Sequence, residues 1–171
     1  MGRHLNRLLR WCDWLGPLMD LREGDHKNLR LLCQFHDLGL VGCSREVLDL
    51  PAPLQEEAFE QLQEHPVTGY RLAKSIPELL PAADLILAHH ERWDGKGFPQ
   101  GLWQESLPFP VRLFHLVDAL DVLTHPRPYD PPLQPDLALA ELRRQKGTRF
   151  DPALTDRFAD LLEREGFPDF P

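Results

Sequence analysis

Residues 110–125 read Pro-Val-Arg-Leu-Phe-His-Leu-Val-Asp-Ala-Leu-Asp-Val-Leu-Thr-His. Leu113, Val117, Leu120 and Val122 recur at helical spacing, so the stretch predicts a helix that begins at a proline and packs against a core. Asp118 lies inside that apolar set. A carboxylate there is costly unless something neutralises it. A metal ion does so; an inward salt bridge is the alternative reading.

The same period governs the chain on both sides. His4, Leu8, Trp11, Leu15 and Leu18 form one apolar stripe that includes a histidine. Asp25–Asp37 reads as a second helix, with Leu29, Leu32, Cys33 and His36 near one face. Gly39–Pro53 reads as a loop. Gln55–Glu64 is a helix expected to stop at His65-Pro66, because a proline disfavours a helical residue before it. Thr68–Ser75, Pro77–Trp93, Asp136–Lys146 and Pro152–Glu165 read as further helices. Asp94–Pro110 holds three glycines and three prolines and reads as a long loop, of a length that is often functional. Strand signals are nearly absent. The expectation is an all-α bundle of about six to eight helices forming a single domain over 1–171, with 1–35 a divergent N-terminal helical part.

The 171 residues and 42% apolar content suit one domain with a real core. A formal net charge of −8 argues against a nucleic-acid or acidic-membrane partner. A small anionic substrate stays open, since a metal cluster supplies positive charge that a residue count omits. The three cysteines, Cys12, Cys33 and Cys43, form no CxxC pair and read as reduced thiols in a cytoplasmic protein. No apolar run approaches the ~18 residues of a membrane span.

His36-Asp37, His65, His89-His90 and Asp118 are the chemistry-bearing candidates. Imidazole nitrogen and carboxylate oxygen suit iron, manganese, zinc and nickel. Adjacent ligands such as His36 and Asp37 project ~100° apart on a helix, so they reach two neighbouring metals or two sides of one. Each residue alone also reads as a hydrogen-bonded core group, a helix-end pair or a salt-bridge partner. Six such residues spread over four predicted helices leave the metal site and the bland reading evenly weighed.

The motifs themselves resemble a family. His36-Asp37-Leu38-Gly39 resembles the signature of HD phosphohydrolases. His89-His90-Glu91-Arg92-Trp93-Asp94-Gly95-Lys96-Gly97-Phe98-Pro99 resembles the long signature of HD-GYP domains. His65-Pro66, Val117–Thr124, Arg127-Pro128-Tyr129 and Gly147–Pro152 resemble further family segments, so the likeness runs from about His36 to the C-terminus. It implies an HD-domain helical bundle and hydrolysis of cyclic di-GMP, a bacterial second messenger, to pGpG or GMP by a metal-bound hydroxide. It implies His36, Asp37, His65, His89, His90 and Asp118 as metal ligands, with His4 as an upstream ligand because His4 and Arg7 resemble the family's HxxR start. An acidic ligand found one turn earlier in three-metal members falls before Met1, so two divalent ions, iron or manganese ahead of zinc or nickel, are expected. Asp37 is expected to bridge them, and Asp121, one turn from Asp118, to orient a ligand imidazole. Arg127, Arg92 and Lys96 are the expected substrate-binding cations. The Gly97-Phe98-Pro99 loop is an expected contact for signalling-protein partners.

The pattern is broken at three places. Leu40 stands where the family carries Lys, Asp130 where it carries Lys or Arg, and Phe98 where it carries Tyr. The first two thin the charge available to a phosphodiester; one charge-assisted contact is worth about 1.5–3 kcal/mol. Two further readings therefore stand beside the leading one: a catalytically weakened module that binds metal and acts through nucleotide sensing or protein partners, and an HD hydrolase of another phosphodiester.

Overall fold

Helix α7, Phe109–Thr124, runs through the middle of the protein. Its sequence is apolar on more than one side, and a helix of that kind belongs in a core. Val111, Leu113, Phe114, Leu116, Val117, Ala119 and Leu120 are all buried. The computed structural model describes residues 2–50, 55–126, 131–168 and 170. Around α7 pack α1 (Gly2–Leu18), α2 (Glu23–Phe35), α6 (Ala83–Ala88), α8 (Pro135–Arg144) and α9 (Pro152–Glu165). The remaining segments are α4 (Glu56–Gln63), α5 (His65–Lys74) and the four-residue turn α3 (Arg45–Leu48). There is no β-strand among the described residues, only an isolated bridge between Lys146 and Phe150. The all-α expectation is borne out. None of the described helices is long and apolar enough to cross a membrane.

One contiguous core runs from Leu8 and Trp11 of α1, through Leu29 and Leu32 of α2 and Ile86 of α6, to Phe158 and Leu162 of α9. Each fully buried side chain of this kind stabilises the fold by about 1.5–3 kcal/mol. The stripe at His4, Leu8, Trp11 and Leu15 is the face that α1 turns to α2 and α7.

Several boundaries differ from the sequence reading, mostly because of proline. α5 begins at His65, three residues before the expected Thr68, because Pro66 sits in its first turn, where no amide hydrogen is required. The expected helix over Pro77–Trp93 is a 3₁₀ turn, Pro77–Ala82, followed by the short α6. Pro81 lacks the donor that a continuous helix needs there. The presumed loop after Gly39 contains a 3₁₀ turn, Leu38–Gly42, and α3, whose first turn is capped by the Ser44 hydroxyl accepting from the Val47 amide at 3.3 Å.

The 3₁₀ turn after His36-Asp37 lies directly on α5. A Cβ placed on Gly39 stands 1.8 Å from the His65 carbonyl oxygen and 2.5 Å from the Gly69 nitrogen. Only glycine permits this approach, and the approach holds His65 beside the His-Asp pair. Gly39→Ala is therefore expected to destabilise the protein by about 3 kcal/mol. A urea midpoint equal to that of the parent protein would show that the two segments do not meet.

Candidate metal centre

Five helices deliver the predicted ligands to one place. His36 and Asp37 follow the last turn of α2, His65 opens α5, His89 and His90 follow α6, Asp118 lies mid-way along α7, and His4 is in the first turns of α1. Helix ends leave carbonyl oxygens without intrahelical partners, and the histidines use them. His36 Nδ1 lies 3.1 Å from the Cys33 oxygen, His65 Nδ1 2.6 Å from the Leu62 oxygen, and His89 Nδ1 2.6 Å from the Ile86 oxygen. A carbonyl only accepts, so each Nδ1 carries the hydrogen, and in the neutral rings of His65 and His89 Nε2 keeps its lone pair.

Those lone pairs converge. His65 Nε2 and His89 Nε2 face each other at 3.1 Å. With both Nδ1 atoms already donating, neither neutral ring has a hydrogen to place between them. Protonation is disfavoured too: burial lowers the pKa of His65 and pushes that of His89 well down. His90 meets solvent at one edge, but close packing around its ring holds its pKa down to about 3, with His65 adding to the effect. The ligand atoms of His65, His89 and His90 all lie within 4.8 Å of one another. Three neutral imidazoles with facing lone pairs can hold a metal ion, and the donor chemistry fits a divalent one.

A carboxylate-rich half adjoins this cluster. The His36 ring lies 5.6 Å from the His89 ring and 6.1 Å from the His4 ring. His36 Nε2 is 3.2 Å from Asp37 Oδ2. Burial opposes ionisation of Asp37, yet the adjacent His36 holds its carboxyl below the usual range. His4 Nε2 is 3.4 Å from Asp118. Hydrogen bonding to Asp118 and then to Asp121 raises the pKa of His4 to about 9.

Asp121 is fully buried and holds His4 from behind. One oxygen lies 2.6 Å from His4 Nδ1, and Arg7 closes a fork on the same carboxylate at 2.6 and 2.9 Å. Asp121 therefore sits inside the fold and not on the surface of α7. Two contributors escaped the sequence reading. Glu91 is buried and accepts the amides of Gln100 at 2.6 Å and of Gly101 and Leu102 at 3.1 Å, which folds the long loop back upon itself. His115 is buried, and its Nε2 donates to the His89 carbonyl at 2.9 Å; burial lowers its pKa to about 4, so it acts as a neutral donor. Its place on the same α7 face as Asp118 and Ala119 was the available signal.

The expected substrate cations fare unevenly. The guanidinium of Arg92 forks onto Asp94 at 3.0 and 2.8 Å. Lys96 is exposed, and it is its backbone amide that bonds Asp94. Arg127 and Asp130 lie outside the described residues. The Phe98 ring stacks on His90 with centroids 4.9 Å apart and planes 21° from parallel, so this aromatic braces a member of the cluster. Gly97 lets the loop close: a Cβ there stands 2.4 Å from the Glu91 Cα.

Comparison with known proteins identifies the family of the chain. The HD-domain family profile matches residues 1–154. The cyclic di-GMP phosphodiesterase response regulator RpfG of Xanthomonas campestris is 32% identical over 154 residues, covering 89% of this chain and 41% of that protein. A cyclic di-GMP phosphodiesterase of Thermotoga maritima is 29% identical over 161 residues, covering 93% and 44%. The 3'3'-cGAMP-specific phosphodiesterase 2 of Vibrio cholerae is 31% identical over 157 residues, covering 91% and 30%. The crystal structure of a cyclic GMP-AMP specific phosphodiesterase of V. cholerae shares the fold, with a TM-score of 0.71 at 22% identity over 95% of this chain and 45% of its own. The chain spans less than half the length of each of these relatives.

Replacing His36 and Asp37 together by alanine is expected to lower bound metal to less than about half of the parent's content, with the helical circular dichroism retained. Elemental analysis returning full metal content in that double variant would remove both residues from the ligand set.

Proposed function

The chain belongs to the HD-domain family, and from that membership we propose that it is a metal-dependent phosphodiesterase that hydrolyses cyclic di-GMP to pGpG or GMP. The observation that carries the proposal is the convergence of His65 and His89 through facing Nε2 atoms at 3.1 Å, an arrangement that a divalent cation satisfies and that burial makes costly for a proton. Relatives named as phosphodiesterases of cyclic di-GMP and of 3'3'-cGAMP support the substrate class, a cyclic dinucleotide.

His65, His89 and His90 would hold one divalent ion, and His36, Asp118 and His4 would serve a second, with Asp37 as a carboxylate donor to the pair. Iron or manganese is the first assignment; zinc and nickel suit the same donors. Such ions supply a water acidified toward neutral pH and positive charge against the phosphate oxygens. The chain's own residues do the rest. Asp37 stays ionised beside His36 and is available as an acceptor throughout. Asp121 and Arg7 fix the ring of His4, so that its Nε2 points at Asp118. His115 steadies the His89 backbone. Glu91 keeps the loop packed beside the cluster. Arg127 and, where Asp94 releases it, Arg92 are assigned to substrate, as is Lys96. The three free cysteines suit a cytoplasmic setting, which is part of the same proposal.

One observation favours slower turnover than a fully charged site would give. Leu40 lies in the 3₁₀ turn that follows Asp37 and offers phosphate no cation. Incubating the metal-loaded protein with cyclic di-GMP, and in parallel with 3'3'-cGAMP, should yield linear dinucleotide or mononucleotide resolvable by chromatography. Absence of pGpG and GMP at full metal occupancy would overturn the assignment. Leu40→Lys is expected to raise kcat/KM by about tenfold or more, the value of one charge-assisted contact; an unchanged rate would show that position 40 does not face the substrate.

A further inference from the structure

A phosphodiester substrate needs cationic partners, and the described residues around the cluster offer few. Leu40 has no charge, Arg92 is engaged by Asp94, and Lys96 is exposed on the loop. Arg149 is exposed like Lys96, but its backbone is bonded directly to the loop that leaves the cluster. We propose that Arg149 is a substrate-phosphate contact of this site, supplying charge that position 40 lacks. The inference rests on the phosphodiesterase reading above.

Its backbone is locked to the metal-site loop. The Trp93 amide donates to the Arg149 carbonyl at 3.2 Å, and the Asp94 amide to the Thr148 carbonyl at 2.9 Å. These bonds tie residues 148 and 149 to the segment that leaves His89-His90. A tight turn presents the side chain: Gly147 has φ +78°, and its amide donates to the Phe150 carbonyl at 2.8 Å. Phe150 is buried, and the Arg149 guanidinium rests 5.3 Å from its ring centroid. The turn is anchored in turn by Asp151, which accepts from the Leu154 amide at the start of α9 and pairs with Arg112 of α7 at 2.7 Å.

The side chain lies against α7. Arg149 lines a small cleft with Ala119, Val122 and Leu123 of that helix and with Leu142, Gln145 and Phe150; Asp118 immediately precedes Ala119. Partial burial lowers its pKa, and Asp118 and Arg92 are the charges that act upon it. It acts in return on His115, the group bonded to the His89 carbonyl. Among the described residues it makes no ion pair, so its forked donors are open to a ligand. A planar guanidinium beside a metal-ligating carboxylate suits a phosphate oxygen pair, and a lysine there reproduces the charge without the fork.

The test compares the metal-loaded parent with Arg149→Gln and Arg149→Lys, using cyclic di-GMP as substrate. The glutamine variant is expected to keep the parent's thermal midpoint and metal content, to raise KM by about tenfold or more, and to change kcat less than threefold. Lysine should restore part of the KM, and more so at low salt. An unchanged KM in the glutamine variant, or a fall confined to kcat, would overturn the proposal while the parent's turnover leaves the phosphodiesterase reading standing. No turnover by the parent at full metal occupancy would remove that reading, and this contact with it.

Discussion

The carbonyl oxygens at helix ends decide the chemistry of this protein. Leu62 and Ile86 each present an oxygen to the Nδ1 of the histidine three residues ahead, and Cys33 does the same for His36. Each bond satisfies an orphan acceptor and fixes a tautomer at once. The consequence is that at His65 and His89 the Nε2 lone pairs, not N–H groups, point inward. Breaking any of these helices one residue earlier or later would remove the oxygen and free the ring to turn. The proline in the first turn of α5 and the 3₁₀ turn before α6 are therefore part of the site, since they set where the two helices begin.

The fold is arranged to bring those ends together. Gly39 allows the turn after Asp37 to lie against the backbone of α5, and α7 threads the space between α1, α2 and α6. α1 is more than a cover for the core. It carries Arg7 and His4, which close on Asp121 of α7 and leave the far nitrogen of His4 toward Asp118. The buried carboxylate of Asp121 is tolerated because the Arg7 guanidinium and His4 Nδ1 meet it, and they keep it below its usual range against the opposing effect of burial.

The long loop after His90 folds around one buried side chain. Glu91 gathers three consecutive amides, which would otherwise be unpaired in a turn packed against the cluster. With Gly97 allowing close approach and Phe98 stacked on His90, the loop becomes a wall of the site. Its charged members are spent on each other: Arg92 and Asp94 form their own fork. That internal pairing leaves the described part of the loop with little free positive charge beside the histidine cluster.

Much of this was legible in the amino-acid order. Helical periodicity at Leu8, Trp11 and Leu15 and at Leu113, Val117 and Leu120 dictated an all-α fold, because burying one face of each helix is the only way to satisfy that spacing. His36-Asp37, His65, His89-His90 and Asp118 stood out by residue type, since imidazole and carboxylate in such numbers have few structural uses. What the sequence alone left open was decided by contacts between residues far apart in the chain. Whether Asp121 faced solvent or His4 depended on a separation of 117 residues. The tying of Arg92 by Asp94 and the folding back of the loop onto Glu91 are short-range, yet each had an equally good alternative until packing chose between them. Local order fixes which groups are present and which helix carries them; only the tertiary structure fixes which lone pairs face each other, because that depends on where five separate helices begin and end.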